Sequence, residues 1–343
     1  MAHGLVTSRD FQVGLEPAWH GLTQIVPAVT RECFPEIVQS PLYYGDDAKP
    51  LSVGGKPYFV PVSSDDGKPV APPFSPDSYT LFTPHQAWDW ITSLLAGTGF
   101  TVKSCGMIWD RSQWFLGIEL TELRSVADEI CQYYLNASGG LDRSMSPSFE
   151  LAGLFPVCAN TLNISRMTGE ILFRSKATKK FTERREAASA EVEKAVGMAR
   201  VFKAQLSKLQ NAPCSIEQAS RIYAGYLGLD TIPVGSTEPV KELSTRSAGT
   251  LETLKTLFVS GRGNAGQTEA DVLNGYTELY TRGNVDSPRY DASKAWVSGE
   301  FGGNADKKAT FANLMVERTC YAADHEWSLD EVADYGKTLI AAL

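Results

Sequence analysis

Apolar residues recur at 192, 195, 199, 202, 206 and 209, alternating by three and four, in a stretch with one glycine and no proline before Pro213. This spacing aligns Val192, Ala195, Ala199, Phe202, Leu206 and Leu209 along one seam. It predicts a long helix over residues 182–210, packed within an intramolecular bundle. Upstream, Trp88, Ile91, Leu94 and Leu95 predict an amphipathic helix over residues 84–95, ending near Gly97. Three strands are expected after it: residues 100–108, then 114–120 across a turn at 110–113, then 129–135, stopped by Gly139 and Gly140.

Before that helix the pattern is shorter and broken. Residues 36–44 read as a short strand, and 58–62 as an edge strand, since Pro61 cannot donate to a central ladder. Seven of the eighteen prolines lie between Lys56 and Pro84, which makes residues 69–76 a loop. After residue 213 the chain reads as mostly helical. Ser215-x-x-Gln218 and Ser328-x-x-Glu331 open two helices with capping boxes, and residues 250–259 and 268–280 supply two more. The expected fold class is α+β: an antiparallel β-meander core with packed helices over residues 1–165, a basic segment and long helix over 166–212, and a helical region over 213–343.

Composition describes an ordinary globular chain: 43% hydrophobic and 21% charged over 343 residues. No apolar run approaches the roughly 18 residues of a membrane span, and the first residues lack the apolar stretch of a secretory leader, so a cytoplasmic protein is expected. The six cysteines (33, 105, 131, 158, 214 and 320) include no C-x-x-C pair, and the four histidines are scattered. Reduced thiols are the expectation, with no metal and no cofactor. The net charge of −8 is unevenly placed. Residues 166–208 hold eleven Lys or Arg against five Asp or Glu, a net +6 that leaves −14 on the rest.

The basic run therefore carries the candidate chemistry. Arg166, Arg174, Lys176, Lys179, Lys180, Arg184 and Arg185 are interleaved by Phe173 and Phe181. Cations that track phosphates, beside aromatics that stack on bases, are what single-stranded nucleic-acid sites combine. The same residues fit a solvated helix face with two phenylalanines anchored in a core. Cys158-Ala-Asn160-Thr161-Leu162 sits just before the run. Its Asn and Thr suit either a local turn, by bonding their own backbone, or a phosphate contact. Trp19-His20 reads as a packed tryptophan beside a hydrogen-bonded histidine, because a catalytic histidine needs partners that the sequence does not supply.

Residues 261–266 satisfy G-x-G-x-x-G, but the stretch before them has helical spacing where a dinucleotide fold requires a strand. A loop between two helices is expected there. No phosphate-binding G-x-x-x-x-G-K-[ST] occurs, and no carboxylate pair has a spacing that demands acid–base chemistry.

Taken in order, several short motifs resemble the phage/plasmid-like protein family built on domain of unknown function 932. They are Pro17-Ala-Trp19-His20-Gly-Leu22, Ser104-Cys-Gly-Met107 with Trp109, Val157-Cys158-Ala-Asn160-Thr161-Leu162, Ser260-Gly-Arg-Gly263, Asn274-Gly-Tyr-Thr-Glu278, Lys294-Ala-Trp296 and Phe301-Gly-Gly303. The family commonly has an arginine three residues before the motif cysteine, where this chain has Phe155. The resemblance implies a mobile-element origin, and the expected helix-plus-meander outline is similar to single-strand annealing proteins of the RecT and Red-beta type. The expected function is non-enzymatic binding of single-stranded DNA in recombination, by a homo-oligomer. The alternative is a protein-interaction module, such as an inhibitor of host defence or an assembly subunit, with a host protein as partner. Nucleotide binding at residues 261–266 is a third possibility.

Overall fold

In the computed structural model, residues 4–8, 23–44, 49–98, 100–108, 111–120, 131–155, 160–170, 172–177, 181, 188–227, 244–282, 294–295, 298–299 and 302–325 are described. Strands come first. β1 (Gly4–Ser8) and β2 (Thr23–Val26) precede a 3-10 turn at Arg31–Cys33. A narrow antiparallel ribbon follows, in which β3 (Ile37–Pro41) pairs with β8 (Phe59–Ser63), β4 (Tyr43–Tyr44) with β5 (Lys49–Pro50), and β6 (Ser52–Val53) with β7 (Lys56–Pro57). Helix α1 (Pro84–Leu94) leads into β9 (Thr101–Ile108), β10 (Gln113–Glu119), β11 (Gln132–Gly140) and β12 (Ser148–Phe155). Then come β13 (Asn160–Asn163), α2 (Ile164–Thr168) and β14 (Phe173–Arg174). The chain ends in helices α3 (Ser189–Asn211), α4 (Ile216–Tyr226), α5 (Thr245–Ser260), α6 (Glu269–Arg282) and α7 (Gly303–His325). None of these helices is long and apolar enough to cross a membrane.

The protein is α+β, as the pattern predicted. Two compact units share the chain discontinuously: residues 1–152 with 171–198, and residues 153–170 with 199–343.

The first unit is built on a sheet ordered β12-β11-β10-β9-β1-β2, with β14 paired to β12. β9, β10 and β11 form the predicted meander. β1 is antiparallel to β9, whereas β2 runs parallel to β1 and is the exception to the expected pairing. The central strands are buried on both faces, with Cys105, Leu116, Ile118 and Ala137 fully enclosed. The third strand does not stop at its glycines. Gly139 lies opposite Trp114 in the ladder, and a Cβ there would come within 2.5 Å of the indole ring, so glycine is what lets the buried tryptophan lie across the strand.

α1 begins where Thr83 caps it. The Thr83 hydroxyl accepts from Gln86 N at 3.2 Å, and the Gln86 side chain accepts from Thr83 N at 2.9 Å. With Pro84 at the first position, this cap sets the helix phase, and Ala87, Trp90, Ile91 and Leu95 face the core. The expected seam through Trp88 and Leu94 is one step out of register, and both residues are only half-buried. Trp90 takes the core position because it stacks on Phe149 of β12, with centroids 4.8 Å apart and planes at 17°.

In the second unit, α4 opens with the predicted capping box, Ser215 with Gln218. α5 and α6 coincide with the two helices read from the pattern, while α7 was not singled out. An aromatic core joins three of these helices. Tyr276 stacks on Phe311 at 3.9 Å, with Tyr226 edge-on to both rings. All six seam positions of α3, from Val192 to Leu209, are buried. Residues 182–187 of its predicted span, and the helix predicted at Ser328, lie outside the described residues.

Two predictions follow from the first unit. Gly139→Ala forces the Trp114 ring to move in a packed core and should lower stability by about 1–3 kcal/mol in chemical denaturation. Tyr79 donates to the buried Gly140 carbonyl at 3.0 Å, and burial, aided by the Asp142 charge, pushes its hydroxyl from near 10 up to about 12. A raised folded value means that stability is level below the unfolded value and lost as pH rises through the folded one. Unfolding free energy should therefore fall between pH 10 and 12, and less steeply in Tyr79→Phe.

Candidate nucleic-acid interface

Residues 173–177 are extended, and side chains of an extended chain alternate in direction. Phe173 turns inward, Arg174 outward, Ser175 inward, Lys176 outward and Ala177 inward. Backbone bonds hold the alternation in place. Phe173 and Arg174 pair with Phe149 and Ser148 of β12, Ser175 N donates to Pro147 O at 3.1 Å, and Ala177 O accepts from Thr80 N at 3.0 Å. Phe173 lies 5.5 Å from both Trp90 and Phe149, and Phe181 lies 4.7 Å from Phe82. The aromatic side is thus a closed cluster, and the cations are the side that faces water.

Arg174 keeps half of its side chain exposed while its Nη2 donates to Glu150 Oε1 at 3.2 Å. Lys176 is exposed. The two are about 6.6 Å apart along the extended chain, one nucleotide step of an unstacked strand in scale. Phe181 is only 2% exposed, which corrects its expected role as a stacking platform: its rings are already packed and no face remains for a base. Phe173 belongs to the same cluster, so the core-anchor alternative describes both residues. Lys179, Lys180, Arg184 and Arg185 lie outside the described residues.

Arg166 belongs to the second unit, apart from Arg174 and Lys176. It lies in the short helix α2, capped by Asn163 Oδ1, and its Nη1 meets Asp306 Oδ1 at 2.8 Å. Asn160, Thr161 and the fully buried Leu162 form β13, so the expected turn after Cys158 is a strand, and the residue that turns strand into helix is Asn163. Cys158, Trp19 and His20 lie outside the described residues.

The 261–266 loop joins α5 to α6, as its context predicted. The second unit's own carboxylates occupy the amides that a phosphate would need. Glu278 accepts from Arg262 N at 3.0 Å, and Asp271 accepts from Ala265, Gln267 and Thr268 N at 3.3, 2.9 and 3.0 Å. Both acids are buried, so a nucleotide phosphate would have to displace them and face their charge.

Two features went unread in the sequence. Glu269, the first residue of α6, is buried against Arg318 at 2.9 Å and Thr319, and burial beside it pushes the Cys214 thiol up to about 12. Lys308, also buried, donates to Thr281 Oγ1 at 3.0 Å. The available signal was polar residues within the apolar helical pattern around Phe311, Leu314, Met315 and Val316. On the ribbon of the first unit, Tyr43, Tyr44, Val38 and Val53 are exposed. Among the described residues, no group of three His, Cys, Asp or Glu is placed to hold a metal ion.

A family model with the description "Domain of unknown function (DUF932)" matches residues 75–297, a span that includes the meander, the basic segment and the 261–266 loop. No curated protein matches the chain. No solved structure matches it.

The buried pair predicts a strong non-additivity. Glu269→Leu leaves the Arg318 charge without its carboxylate and should cost about 3–5 kcal/mol, whereas Glu269→Leu with Arg318→Met should recover much of that loss. Urea unfolding of the two single variants and the double variant measures the coupling.

Proposed function

The chain belongs to the DUF932 family, and within it we propose that this protein binds single-stranded DNA without acting on it chemically, as an oligomeric annealing protein of a phage or plasmid working in the host cytoplasm. One observation carries the reading: residues 173–177 are pinned to the sheet so that Arg174 and Lys176 face outward in step. The charge distribution supports it, with net +6 over residues 166–208 of an otherwise acidic chain. With Phe173 and Phe181 turned inward, this segment tracks phosphates and reads no bases, so binding is indifferent to sequence.

A second reading draws on the ribbon. Tyr43 and Tyr44, each more than half exposed, stand with Val38 and Val53 on paired strands, an apolar surface of the kind that docks on proteins. In that reading the chain is an interaction module, such as a host-defence inhibitor or an assembly subunit, and its acidic surface meets a basic partner.

Titration of a fluorescent single-stranded oligonucleotide at several salt concentrations separates the two. The wild type should lose affinity steeply as salt rises, by about 0.7 in log–log slope for each phosphate neutralised. Alanine at Lys176, Lys179, Lys180, Arg184 and Arg185 should flatten that slope by about 3 and weaken binding at least about tenfold at low salt. Unchanged binding in this variant would sink the DNA reading.

A further inference from the structure

Cys33 closes the 3-10 turn, and Cys105 sits mid-strand in β9, paired with Val6 of β1 and Leu116 of β10. Although 72 positions apart in sequence, their side chains share a hydrogen bond. Other donors converge on the Cys33 sulfur: Thr30 N–H approaches to 3.5 Å and the Thr30 hydroxyl lies 4.0 Å away. Cys33 is partly exposed and Cys105 is fully buried. The pair is therefore asymmetric, with one sulfur open to solvent and its neighbour sealed behind it.

We propose that Cys33 is a peroxide-reactive thiolate and that Cys105 resolves its oxidised form into a Cys33–Cys105 disulfide. The Cys33 thiolate attacks the O–O bond of a hydroperoxide and takes one oxygen as a sulfenic acid. The other oxygen leaves as water or alcohol once it has taken up a proton. The Cys105 thiol then attacks the Cys33 sulfur and gives up its proton, and the sulfenic hydroxyl leaves as water. Two thiols are oxidised by two electrons and one peroxide is reduced.

The electrostatics agree with this division of labour. The hydrogen bonds to the Cys33 sulfur, from Cys105 first and then Thr30, outweigh partial burial and the nearby Glu32 carboxylate, and bring its thiol from near 9 down to about 6. Cys105, which donates to that thiolate and is buried, is pushed up and keeps its proton until attack. Cys214 is held protonated by burial, so it does not compete. The disulfide would tie the turn that leads into the exposed ribbon to the centre of the sheet. The proposal is independent of DNA binding.

The test uses the full chain, reduced and then treated with equimolar hydrogen peroxide, followed by peptide mapping. The expected product is a Cys33–Cys105 cross-link with the loss of two hydrogens. Cys105→Ala should instead accumulate a Cys33 sulfenic acid that a cyclic 1,3-diketone traps. Alkylation of wild-type Cys33 should be half-maximal near pH 6, and this readout decides the matter alone if Cys105→Ala does not fold. An alkylation midpoint in the ordinary thiol range near 8.5, or peroxide products lacking the 33–105 link, overturns the proposal.

Discussion

The stack of Trp90 on Phe149 is the contact on which the rest of the first unit depends. It joins α1 to β12, and around it Phe82, Trp114, Phe173 and Phe181 meet at 4.7 to 6.5 Å with mostly edge-on or tilted rings. Tilted and edge-to-face pairs suit the ring quadrupole, and rings of this size bury more apolar area than any other side chains. The consequence reaches the surface. Because Phe173 and Phe181 are committed to the cluster, the chain between them has one allowed phase, and that phase turns Arg174 and Lys176 to solvent. The candidate interface is a by-product of core packing on the opposite side of the same strand.

Charge does the comparable work in the second unit. Glu269 with Arg318, and Asp271 and Glu278 with the amides of the 261–266 loop, are buried polar groups with their partners in place. Such groups add little net stability but penalise any packing that leaves them unpaired. The glycines of that loop serve the same end. A Cβ on Gly261 would sit 2.3 Å from Leu257 O and 2.9 Å from Glu278 Oε2, so the missing side chain makes room for a carboxylate. A motif whose spacing matches a phosphate cradle is here a helix connection that binds its own acids.

Periodic segments were legible before any coordinates. The seam from Val192 to Leu209 is buried at each of its six positions because a 3.6-residue period allows no other apolar face. Capping at Ser215, and the hairpin of β9 and β10, were legible for the same local reason. Strand β12 was missed because its apolar run is continuous, not alternating, which is how a strand buried on both faces reads. Trp90 was passed over for Trp88 because periodicity finds a face but the cap at Thr83 sets its phase.

The basic segment marks the border between the two kinds of knowledge. Charge is additive along a chain, so the sequence by itself determined that residues 166–208 are cationic on an acidic protein, and that the chain is α+β. Tertiary structure decided what each residue in that segment does. Arg166 meets Asp306 across 140 positions, Phe181 vanishes into a cluster that begins at Phe82, and Cys33 finds Cys105. Pairings of that range follow from how elements pack, and no local period or composition encodes them.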